Sequence, residues 1–166
     1  MFAYKIVMVG DFGVGKTSLV KRFVDNSFSE DYLSSIGVSM SKKLLRTDDG
    51  VESTMMLWDI EGKTEYKPIF KQYLMGAKAF IIVADLTRQE TIESIKEHIK
   101  TCHEIVKDAP ICIALNKCDL QQSSLTTQEE LSELSSSIVG IYKTSAKNNE
   151  TVDEIFQVIN QTIINR

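Results

Sequence analysis

The stretch Gly10-Asp11-Phe12-Gly13-Val14-Gly15-Lys16-Thr17 decides the fold, because it matches the phosphate-binding pattern G-x-x-x-x-G-K-[ST] and stands between two periodic segments. Before it, Ile6-Val7-Met8-Val9 is a bounded apolar run of strand length. After it, Leu19, Val20, Phe23 and Val24 fall on one helical face. Backbone N–H groups wrap a phosphate only where side chains leave room. Gly10, Gly13 and Gly15, with Val14 between the last two, supply that room. A helix opening near Gly15 adds unsatisfied N–H groups and the positive end of its dipole. Lys16 brings a mobile charge for the terminal phosphates, and Thr17 a hard hydroxyl oxygen of the kind Mg²⁺ accepts. Ser18 follows in the same first turn and belongs to the expected nucleotide-binding set.

The 166 residues suffice for one domain, expected to span 1–166, with a substantial core. The 43% hydrophobic and 25% charged residues fall in the ordinary globular range. A net charge of −4 argues against electrostatic nucleic-acid binding, since the basic pairs Lys21-Arg22 and Lys42-Lys43 are short and read as solvated surface. Three scattered cysteines, Cys102, Cys112 and Cys118, suit free thiols in a reducing compartment. The apolar run Ala79 to Ala84 is too short to cross a bilayer, and the first five residues lead into a strand. A cytoplasmic location follows as the expectation. The sequence as given has no cysteine near Asn165-Arg166. Membrane recruitment is therefore expected only through partners or a further C-terminal tail.

Beyond the first helix, Asn26 to Gly37 reads as a long polar loop. Asp48-Asp49-Gly50 marks a hairpin turn between two partly alternating runs, the second ending at Leu57-Trp58-Asp59. Gly62 to Tyr73 is loop-like with a short helix, followed by buried strands at Phe80–Ala84 and Ile111–Leu115. Between these strands, Ile92, Ile95, Ile99, Cys102 and Val106 form the apolar face of one helix. Thr127-Gln128-Glu129-Glu130 is a capping box opening another, with Leu131, Leu134 and Ile138 behind it. The last strand is Ile141 to Thr144, and the last helix carries Val152, Ile155, Phe156, Ile159 and Ile163. Strands apolar throughout, alternating with amphipathic helices, predict an α/β fold. Its sheet is mainly parallel and six-stranded with one antiparallel edge strand, and helices cover both faces.

Such a sheet binds ligands at the carboxyl ends of its strands, so polar motifs directly after strands belong together. Asp59-Ile60-Glu61-Gly62 is one: the carboxylate can hold the hydration shell of Mg²⁺, and Gly62 can turn an N–H toward a terminal phosphate. Asn116-Lys117-Cys118-Asp119 is another. Guanine presents N1–H and an exocyclic amine side by side, and the carboxylate of Asp119 is a matched double acceptor. Adenine offers an acceptor at N1 and is rejected. In Ser145-Ala146-Lys147 the backbone N–H of Ala146 can meet guanine O6. His98 and His103 read as surface residues away from the phosphates, and Cys118 as an inert thiol.

With these motifs in order, the chain resembles the Ras superfamily of small GTPases across essentially its whole length. The matching segments are GDFGVGKT, SSIGV, WDIEG, NKCD and TSAK, and the wording around Ser35-Ile36-Gly37-Val38 and Trp58-Asp59 is similar to the Rab branch. The resemblance implies a P-loop G domain that binds GTP or GDP with Mg²⁺. It places Phe28 against the base, Thr17 and Ser35 on Mg²⁺, and Asp59 on Mg²⁺ through water. Asn116, Lys117, Asp119, Ser145, Ala146 and Lys147 form the base site. It also implies that effectors and an exchange factor read switch regions 30–38 and 59–73, which order around GTP and release on hydrolysis.

The chain departs from that family at the reaction. A glutamine that orients the attacking water is usual where Lys63 stands here, and lysine is donor-only. Glu61 is anionic where the family is small, and Phe12 puts a ring where an arginine finger would enter. Ser35 replaces the usual threonine and is freer at χ1. The catalytic set is thus Lys16, Gly62 and Lys63, with slow hydrolysis expected. The competing class is a hydrolysis-deficient binding module held mostly with GTP. An ATP-using P-loop kinase is disfavoured by Asp119.

Overall fold

The computed structural model describes residues 2–26, 37–60, 70–122 and 125–166. Six strands, β1 (Phe2–Val9), β2 (Val38–Arg46), β3 (Glu52–Ile60), β4 (Ala77–Asp85), β5 (Ile111–Asn116) and β6 (Ile138–Lys143), form one sheet in the order β2-β3-β1-β4-β5-β6. Only β2 runs antiparallel, pairing with β3 from Val38↔Ile60 to Arg46↔Glu52 at the sheet edge. Around the sheet lie α1 (Lys16–Asp25), α2 (Phe70–Leu74), α3 (Gln89–Glu93), α4 (Ile95–Ile105), α5 (Gln128–Ser132) and α6 (Val152–Ile164). The expected mainly parallel α/β sheet is what the chain forms.

The period-2 geometry of a strand explains why the central strands are apolar throughout. Ile6 and Met8 of β1, Ile81 and Val83 of β4, and Cys112 and Ala114 of β5 face α1 and α6. Their neighbours Val7 and Val9, Phe80 and Ile82, and Ile111 and Ile113 face α2, α3 and α4. On the first side Phe23 of α1 stacks on Phe156 of α6, with ring centroids 4.0 Å apart. On the same side Asn160 is buried, and its Oδ1 accepts from the hydroxyls of Tyr4 and Ser53, the latter at 2.9 Å. Burial is the larger cause that pushes the Tyr4 phenol up to about 12.

The hairpin turn at Asp48-Asp49-Gly50 forms as expected, with Gly50 at φ 86° and its N–H donating to the Thr47 carbonyl. Three local details differ. The helix read through Ile92 to Val106 divides at Ser94, whose hydroxyl bonds back to the Glu90 carbonyl at 2.8 Å. The capping box at Thr127 is present, yet α5 ends at Ser132. Leu134 is exposed, and Ile138 begins β6 instead of extending the helix. Sheet pairing of Ile138 with Ile111 overrides the helical spacing there.

Candidate functional site

Every strand that runs parallel ends on the same side, so the residues just after β1, β3, β4, β5 and β6 share one edge. The loop after β1 winds through Gly10 to Gly15 into α1. A Cβ on Gly15, at φ 102°, would overlap Nδ2 of Asn116, and one on Gly10 would overlap the carbonyl oxygen of Val83. Glycine is required at both by close approach, not by chain flexibility alone.

Side chains from two other loops hold this turn. Asn116 donates from Nδ2 to the Val14 carbonyl at 3.0 Å and is itself oriented by the Thr144 hydroxyl at 3.1 Å. Lys117 donates to the Gly13 carbonyl at 2.9 Å. Lys16, only 6% exposed, reaches back over the loop to the carbonyls of Gly10 at 2.6 Å and Asp11 at 3.2 Å. Its ammonium therefore sits inside the turn, where it adds positive charge to the backbone N–H groups. Thr17, in the first turn of α1 beside the half-buried Ser18, donates to Oδ2 of Asp59 at 2.5 Å. Asp59 is 3% exposed and lies one residue before the end of β3.

At the far end of the same edge, the Ser145 hydroxyl donates to Oδ1 of Asp119 at 2.8 Å and accepts from the N–H of Asn148 at 3.0 Å. This fixes the carboxylate of Asp119 while leaving its other oxygen for a further donor. Ala146 is buried and Lys147 exposed. Cys118 lies between these residues, and its thiol is 3.5 Å from Oε2 of Glu150. Burial first, then Glu150, push it up to about 11, as an inert thiol requires.

Of the expected site residues, Gly13, Val14, Gly15, Lys16, Thr17, Ser18, Asp59, Asn116, Lys117, Asp119, Ser145, Ala146 and Lys147 all come to this edge. Phe28, Ser35, Gly62 and Lys63 lie outside the described residues, as does Glu61.

Two expectations are corrected. His98 is 8% exposed and faces the phosphate loop, with Nε2 2.9 Å from Oδ1 of Asp11. Its place in the first turn of α4 brings the imidazole to that loop. His103 is half-buried against the Ala109 carbonyl. Arg22 is not idle surface either. Its guanidinium donates to the carbonyls of Ala146 at 2.8 Å and Lys147 at 2.9 Å.

Asp85 and Arg88 were not anticipated. Asp85, 1% exposed at the end of β4, stands 2.8 Å from Nζ of Lys117 and 3.1 Å from Nε of Arg88. It also accepts from the N–H and hydroxyl of Thr87. The available signal was positional: Asp85 pairs with Asn116 across the sheet and follows an apolar strand as Asn116 does. Burial raises its carboxyl, but the bonds from Lys117 and Thr87 outweigh that and hold it below the ordinary carboxylate range.

A glycine-lined turn at a helix N-terminus, with a lysine inside it and a hydroxyl–carboxylate pair beside it, defines a P-loop nucleotide-binding domain of the α/β class. The Ras family model matches residues 5–165. The chain is 33% identical over 162 residues to the Ras-related protein Rab-32A of Dictyostelium discoideum, covering 92% of this chain and 74% of that one. It is 32% identical over 165 residues to the Ras-related protein Rab-13 of Canis lupus familiaris, covering 97% and 80%. A third relative, the Ras-related protein RabC of Dictyostelium discoideum, is 31% identical over 163 residues, covering 96% and 83%. The chain belongs to the Ras family, and within it is Rab-like: a GTP-binding switch protein. Among the described residues no helix is long and apolar enough to cross a membrane.

Proposed function

We propose that this protein is a slow GTPase switch, in which the edge loops hold guanine nucleotide with Mg²⁺ and the hydrolytic step is weak. The observation that carries the reading is the joining of phosphate loop and base loops through Asn116 and Lys117, whose side chains reach Val14 and Gly13. One motif then serves both ends of a nucleotide.

Gly13, Val14, Gly15, Lys16, Thr17 and Ser18 bind the phosphates through backbone N–H groups, the ammonium and hydroxyls. Asp119 takes the N1–H and amine of guanine, with its geometry set by Ser145. Ala146 gives its N–H to O6, and Lys117 and Lys147 flank the base. Phe28 would lie against the base, as the family resemblance implies. The hydroxyl of Thr17 and the carboxylate of Asp59 are hard oxygen donors already in contact, which fits a small divalent cation; Ser35 completes the set. Held there, Mg²⁺ would supply charge neutralisation for the terminal phosphates.

Lys16 stabilises charge developing at the γ-phosphate, and the N–H of Gly62 donates to it. Lys63 cannot accept a hydrogen bond from the attacking water, so water is not oriented as a glutamine would orient it. Support for a blocked arginine finger comes from Phe12, which is 37% exposed while its carbonyl is held by Arg88 at 2.8 Å. Effectors and an exchange factor read regions 30–38 and 59–73.

Competition binding tests the base assignment. GTP and GDP displace a fluorescent guanine nucleotide, and ATP does not. Asp119→Asn shifts preference toward xanthine nucleotides, because the amide donates to the C2 carbonyl and its oxygen still accepts from N1–H. Equal displacement by ATP contradicts the reading.

A further inference from the structure

We infer that Arg22 is a specificity-positioning residue, which supports the reading of guanine O6 indirectly by holding the peptide on the C-terminal side of Ala146, the residue whose N–H meets O6. The inference rests on the assignment of that N–H to O6 and goes beyond it by naming what keeps the donor in place.

The guanidinium spans two successive carbonyls, Ala146 through Nε at 2.8 Å and Lys147 through Nη2 at 2.9 Å. Its remaining amine reaches the carbonyl and side-chain oxygen of Asn26 at 3.3 and 3.4 Å. These contacts fall on neutral oxygens at the end of α1. The planar fork is used here to set backbone orientation, a task that a flexible ammonium performs poorly. On its other side the loop is anchored independently. Ser145 exchanges backbone hydrogen bonds with Glu150 at 3.1 and 3.0 Å, and its hydroxyl bonds Asp119. Ala146 therefore lies between two clamps. Ser145 sets its N-terminal side together with the Asp119 carboxylate, and Arg22 sets its C-terminal side. Loss of Arg22 frees the C-terminal side of residue 146, so that residue shifts against O6 while Asp119 stays braced.

Base analogues separate the two clamps. Inosine diphosphate keeps O6 and N1–H and lacks the amine; 6-thioguanosine diphosphate keeps N1–H and the amine and puts sulfur, a weak acceptor, in place of O6. Wild type binds GDP more tightly than the 6-thio compound. In Arg22→Met the dissociation constants for GDP and inosine diphosphate rise about tenfold, while that for the 6-thio compound changes less than twofold. Arg22→Lys, which reaches one carbonyl at a time, falls between with the same pattern and serves if the methionine variant folds poorly. Equal weakening of all three ligands, or none, overturns the inference and leaves the O6 assignment standing. A wild-type protein indifferent to the loss of O6 removes the assignment itself, and the inference with it.

Discussion

Arg88 donates through Nη2 to the Phe12 carbonyl at 2.8 Å, so the turn after β4 grips the phosphate loop directly. The same guanidinium is oriented by Asp85, which also holds Lys117, and Lys117 grips the next carbonyl, Gly13. One buried carboxylate thus aims two cations at successive peptides of the loop. In Arg88→Met both contacts vanish while Asp85 keeps Lys117. GDP dissociation is predicted to speed up on the order of tenfold, matching about 1.4 kcal/mol of lost charge-assisted bonding. Stopped-flow release of fluorescent GDP measures it, and an unchanged rate refutes the coupling.

The contact between Thr17 and Asp59 predicts how the protein responds to chelation. Chelating Mg²⁺ with EDTA accelerates GDP release from the wild type. In Thr17→Ala release is already fast, and EDTA adds less than a twofold further change. A variant as sensitive to EDTA as the wild type would place the metal elsewhere.

Asp11 and Asp85 both titrate below the ordinary carboxylate value of 3.8. For Asp11, burial raises the carboxyl, but hydrogen bonds from His98 and Ser94 and the charges of His98 and Lys16 outweigh it. Both groups are depressed in the folded state, so in acid the unfolded chain binds more protons. Their stabilisation is complete above the unfolded value and fades as pH falls through the folded values. Urea midpoints are therefore predicted to fall steeply below about pH 4, with a shallower fall in Asp85→Asn. Parallel curves for both proteins would contradict the assignment.

Phe156 is fully buried and stacked on Phe23. Truncation to alanine removes that stack beneath β1, β4 and β5. A loss of about 3–5 kcal/mol in unfolding free energy is predicted from denaturant titration. A loss below about 1 kcal/mol would show that α6 can collapse onto the gap.

Much of this architecture was legible because strand and helix periods differ. Ile6–Val9, Phe80–Ala84 and Ile111–Leu115 are too short and too uniformly apolar for anything but covered strands, and the motifs directly after them mark the edge. What escaped was cross-chain chemistry. Nothing local to Lys21-Arg22 shows that Arg22 meets residues more than a hundred positions away. Nothing around His98 shows that its imidazole meets Asp11 in the phosphate loop. Asp85 carried a signal in its position after β4, but a lone aspartate there is also an ordinary turn former. At Ile138, sheet pairing won over a helical repeat that the spacing alone favours.

The central claim, a switch whose hydrolytic step is weak because Lys63 cannot orient water, is tested most directly by single-turnover hydrolysis of Mg²⁺-GTP. Wild type and Lys63→Gln are loaded alike, and bound nucleotide and released phosphate are followed over hours. The account predicts that wild type retains most of its GTP while Lys63→Gln releases phosphate at least tenfold faster. Equal rates in the two proteins, both as fast as a glutamine-bearing relative, would contradict it.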